Sequence, residues 1–90
     1  NPKREIIDGT LETSQGVKVP LVEAIRAFRI MEKFWSKGKT TRAKQNKIKV
    51  GHYEITEIVT IDDRQFMKAG CHLINAEECR SLAISLGIYP

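Results

Sequence analysis

At 90 residues, with 41% hydrophobic and 29% charged side chains, the chain suits one packed domain and is too apolar for intrinsic disorder. No apolar run approaches the roughly 20 residues a bilayer-spanning helix needs, and the opening "NPKREIIDGT" lacks the apolar core of a signal peptide. The net charge of +4 is unevenly placed: Arg26 to Lys49 holds nine Lys or Arg residues against a single acid, Glu32, a local +8 that leaves −4 on the remainder.

A molecule with one strongly positive region and an acidic remainder has a directional field. The chain has no initiator Met, so a processed protein or a segment of a longer one is expected. The expected location is the cytoplasm, or a nuclear or nucleoid-associated setting. Cys71 and Cys79 are too few for a disulfide-rich scaffold, and reduced thiols are expected.

Residues 1–18 read as an N-terminal arm or a small hairpin. Asp8-Gly9 is a two-residue hairpin-turn signal, and "TSQG" after it resembles a linker. Residues 19–90 read as a single α+β domain with a basic loop over 38–47. "VPLVEAIRAFRIMEKFWSKGK" predicts a helix with Pro20 at its first position and Gly38 at its stop. At 100° per residue, Leu21, Ala24, Ile25, Phe28, Met31 and Trp35 share one face, which Ala27, Ile30 and Phe34 widen. Arg26, Arg29, Lys33 and Lys37 fall opposite, within an arc of roughly 80°. The loop "KGKTTRAKQNK" that follows has Ala43 as its one apolar residue.

"IKVGHYEITEIVTI" is rich in β-branched residues. Ile48 and Val50 take one alternation phase, and Tyr53, Ile55, Val59 and Ile61 take the other. A bulge or tight turn at Gly51 is expected where the phase switches. "DDRQ" predicts a turn, and "FMKAGCHLI" a further strand. "NAEECRSLAISLGI" predicts a second helix. Asn75 is its N-cap, with Glu78 three residues on. Ile74 and Cys79 have hydrophobic-staple spacing, and Gly87 ends the helix with Ile88 folding back. The expected fold is small α+β: a helix, then a two- or three-stranded antiparallel sheet, then a C-terminal helix, with the helices covering one face of a meander.

The basic stretch is the main functional signal. Surfaces that serve solubility alone mix both signs, whereas clustered Lys and Arg gain from releasing the counterions of a phosphate backbone. The candidate nucleic-acid-binding residues are Arg26, Arg29, Lys33 and Lys37 on the helix, and Lys39, Arg42, Lys44, Lys47 and Lys49 in and after the loop. Thr40, Thr41, Gln45 and Asn46 add neutral hydrogen-bonding groups. Among the aromatics, Phe28 and Trp35 are assigned to the core, and Tyr53 is the candidate for stacking on a base. The expectation is a nucleic-acid-binding accessory domain that contacts the backbone, with nothing to separate DNA from RNA. The competing expectation is a regulatory or interaction module docking on an acidic protein surface.

Other chemistry is weakly signalled. His52, Cys71, His72 and Cys79 lack the paired short spacings of a zinc site, and no metal or cofactor is expected. Cys71 and His72 are neighbours on an expected strand and would face opposite ways, which argues against a Cys–His dyad. Asp62-Asp63 reads as a turn. No phosphate-binding glycine loop, nucleophile elbow or HExxH occurs, so no enzymatic activity is expected within these residues. If the chain is part of an enzyme, the catalytic centre is expected elsewhere in it. Ser36, Thr40 and Thr41 among basic residues suit phosphorylation, but exposed polar spacers account for them more simply.

Overall fold

The computed structural model describes residues 9–38 and 45–88, and among them two helices and three antiparallel sheets are laid out in full. The order is β1 (Thr10–Glu12), β2 (Lys18–Pro20), α1 (Leu21–Trp35), β3 (Lys49–Val50), β4 (Tyr53–Glu54), β5 (Glu57–Ile61), β6 (Arg64–Ala69), β7 (His72–Asn75) and α2 (Ala76–Ser85). Strands β1 and β2 pair, β3 and β4 pair, and β5-β6-β7 form a meander. The helix–sheet–helix order expected of a small α+β fold is therefore present.

α1 buries Ala24, Ile25, Ala27, Phe28 and Met31, the centre of the stripe read from the 3.6-residue period. Pro20 stands one position earlier than expected, as the N-cap in extended conformation. That suits a residue that also ends β2. α2 has the ends its sequence specifies. The Asn75 side chain accepts from the Glu78 N–H at 3.0 Å. At the far end, the Gly87 N–H donates to Ile84 and the Ile88 N–H to Ala83, the paired bonds of a Schellman stop. Ile74 and Cys79 are both fully buried, as the staple requires.

Three strand details differ from the sequence reading. The first hairpin turns through Thr13–Gly16, not at Asp8-Gly9; Gly9 precedes β1, and Asp8 lies outside the described residues. "FMKAGCHLI" is not one strand but the facing halves of a hairpin, because Gly70, at φ +62°, opens a two-residue turn between Ala69 and His72. Finally, the chain bends between β4 and β5. Ile58 then aligns with Met67 and Ile74 on the core side, while Ile61 is 45% exposed. The alternation phase expected to run from Ile55 through Val59 and Ile61 stops at that bend.

Met67 and Ile74 meet Phe28, Met31 and Cys79 in one core, with Val19 and Leu11 of the first hairpin closing it. α2 packs on α1 and on β6. Each fully buried Phe, Ile or Met contributes about 2 kcal/mol of burial energy, and this shared core fixes how α1 presents its outer face. No described helix is long and apolar enough to cross a membrane.

Candidate nucleic-acid interface

The amphipathic pattern of α1 decides where its cations go. With Phe28 and Met31 held inward, Arg26, Arg29 and Lys33 are exposed on the outer side, and Lys37 is exposed in the turn that ends the helix. A second set arrives from the chain before β3. Ile48 is buried, and this anchor leaves its neighbours Lys47 and Lys49 exposed. Lys39, Arg42 and Lys44, with Thr40 and Thr41, lie outside the described residues.

An open groove of about 640 Å³ runs between α1 and residues 46–49. Ala27, Ile30, Phe34 and Ile48 give it apolar walls, and Arg26, Lys33, Lys49 and Asn46 supply its polar lining. A smaller depression of about 310 Å³, lined by Arg26, Arg29, Ile30 and Lys33, adjoins it. The two share Arg26, Ile30 and Lys33. Ile30 is 42% exposed among these cations, although its place on the helical wheel assigns it to the widened core face.

Two carboxylates beside this face are engaged elsewhere, and a third, Glu54, stands across from Lys49 in the β3–β4 register. Glu32, the only acid between Arg26 and Lys49, pairs with Arg80 of α2 at 2.6 Å. Arg80 also lies 5.3 Å from the Phe28 ring centre, so this pair joins the two helices. Glu23, the only acid lining the groove among the described residues, accepts the Gly51 N–H at 2.7 Å and so tethers the β3–β4 turn to α1. Among the described residues, Arg26, Arg29, Lys33, Lys37, Lys47 and Lys49 have no carboxylate within ion-pair distance.

Tyr53 does not join this group. It lines a different depression, with Pro20, Glu23, Gly51 and His52, and its ring lies 4.3 Å from that of His72. The aromatic residue that does line the groove is Phe34. The sequence held a signal for the groove's apolar part: Ile30 falls only about 40° from Arg26 around the helix. The opposing wall could not be read the same way, since it requires residues 46–49 to lie across from α1.

The remaining candidates are scattered. Cys71 is exposed in the β6–β7 turn, not on a strand, and Cys79 is buried in α2; both are free thiols. Burial, aided by the neighbouring Glu78 carboxylate, pushes the Cys79 thiol up to about 12, so it is protonated at neutral pH. The Thr13 hydroxyl lies 3.1 Å from His72 Nδ1. Its oxygen also accepts from the N–H groups of Gln15 and Val17 at 3.2 and 3.3 Å, and Thr13 is only 5% exposed. This hydroxyl braces a turn and offers no open face to a substrate. Among the described residues, no group of three or more His, Cys, Asp or Glu side chains converges as a metal-binding set.

No protein-family model matches the sequence, and comparison with curated proteins and with solved structures finds no match.

Proposed function

We propose that the protein is a nucleic-acid-binding accessory domain that grips the phosphate backbone with the outer face of α1 and the chain leading into β3. The observation that carries this reading is that the described cations have no carboxylate within ion-pair distance, while Glu32 and Glu23 are engaged by Arg80 and Gly51. Charges arranged in this way gain little from the fold itself. They gain strongly from a polymer whose condensed counterions they displace. Arg26, Arg29, Lys33, Lys37, Lys47 and Lys49 are the described contacts, and Lys39, Arg42 and Lys44 are proposed to extend them. Held on a helix anchored by its core face, Arg26, Arg29 and Lys33 act as a preorganised set, which lowers the entropy lost on binding.

The test is an oligonucleotide titration at two salt concentrations. Affinity should fall steeply as salt rises, and replacing Lys39, Arg42 and Lys44 together by Ala should weaken it without changing the thermal midpoint. Absence of oligonucleotide binding at low salt would instead favour docking on an acidic protein surface. Undiminished binding by the triple variant would confine the interface to the described residues.

A further inference from the structure

Backbone binding does not account for one feature of the interface. A surface built only to follow phosphates needs cations and hydrogen-bond donors; it has no use for an apolar recess between them. Here the groove between α1 and residues 46–49 places Ile30 and Phe34 among Arg26, Lys33 and Lys49, with the Asn46 amide beside them. A lone exposed Ile would need no explanation, but Ile30 lines one recess with Phe34, Ala27 and Ile48, and a shared apolar lining ringed by cations gains from being covered.

We infer that this groove takes unpaired bases of a single strand: the base enters the apolar recess against Ile30 and Phe34, and the flanking phosphates lie on Arg26, Lys33 and Lys49. The inference rests on the nucleic-acid reading above and deepens it. Charge complementarity selects a polyanion, and the apolar recess selects a polyanion whose repeating unit carries a flat hydrophobic group. A duplex keeps its base faces stacked inside and presents phosphates outward, so it can satisfy the cations but not the recess. A single strand satisfies both, because every base has a face to offer. At about 640 Å³ the groove is large enough for a nucleobase. Asn46 carries both an amide donor and a carbonyl acceptor, so it can pair with the edge of whichever base enters.

The experiment compares three ligands of equal length at one fixed salt concentration: an oligothymidylate, an abasic strand with the same phosphates and no bases, and a duplex. The single strand should bind about tenfold more tightly than the abasic strand, the fold-change expected of one good base–aromatic contact. Phe34→Leu should remove most of that advantage and leave affinity for the abasic strand unchanged. Because Phe34 also touches the core, Ile30→Ser at a 42% exposed position serves as the second variant and should act in the same direction. Equal affinity for the base-bearing and abasic strands, with both salt-dependent, would overturn this inference and leave backbone binding intact. No affinity for any of the three at low salt would overturn the nucleic-acid reading and this inference with it.

Discussion

Single residues carry the sharpest contrasts in this protein. Cys71 and Cys79 share a chemistry and differ only in place: one is exposed in a turn, the other is sealed between helix and sheet. A thiol reagent should therefore label Cys71 rapidly in the native protein and reach Cys79 only as the chain unfolds; prompt modification of both would show the packing of α2 to be open. The elevated Cys79 thiol also links stability to pH. Its folded value of about 12 stands above the ordinary 9.0, so the stabilising contribution is complete below pH 9 and declines as pH rises from 9 towards 12. Within that window the loss is about 1.4 kcal/mol per pH unit. Denaturant titrations at rising alkaline pH should show this extra slope in the native protein, and Cys79→Ala should remove it. The Glu32–Arg80 pair is 28% and 38% exposed, so Glu32→Gln should cost less than about 1 kcal/mol.

At the scale of elements, stability depends on how each piece is terminated. Asn75→Ala leaves the Glu78 N–H without its acceptor and should lower stability by about 1 kcal/mol. Gly51→Ala tests backbone conformation alone. An added Cβ would stand 3.8 Å from Val19 and 3.9 Å from Pro20, ordinary van der Waals distances, so space is available. The φ of +62° is what a side chain resists, and about 1–2 kcal/mol should be lost in a denaturant titration.

These elements also mark the limit of what a sequence makes visible. The ends of α2 were legible because Asn75, Glu78 and Gly87 act on neighbours three to five positions away. "FMKAGCHLI" misled because its apolar residues run on both sides of a turn that only Gly70 announces. The first hairpin was harder still. Its turn is held by Thr13, and the far side of that turn bonds β7: the Ser14 N–H donates to Leu73 and the Leu73 N–H to the Ser14 hydroxyl, both at 2.9 Å. A partner 59 residues away leaves no trace in "TSQG". The candidate interface divides along the same line. Its helical cations follow from periodicity, whereas the groove wall from Asn46 to Lys49 exists only after folding.

Among the described residues, Arg26, Arg29, Lys33, Lys37, Lys47 and Lys49 form no ion pair, while the sequence outside Arg26–Lys49 is net acidic. Burial of Ile48, the core face of α1 and the Glu23–Gly51 tether hold the described part of that region in one arrangement. The most direct measurement is the slope of log affinity against log salt for a single-stranded oligonucleotide, in the native protein and in a variant with Arg26, Lys33 and Lys49 replaced by Ala. Every phosphate that goes unneutralised should reduce the slope by about 0.7, so the variant should bind more weakly and with a slope shallower by about 2. An unchanged slope in a folded variant, or a native protein whose binding ignores salt, would contradict the proposal that these side chains neutralise phosphates.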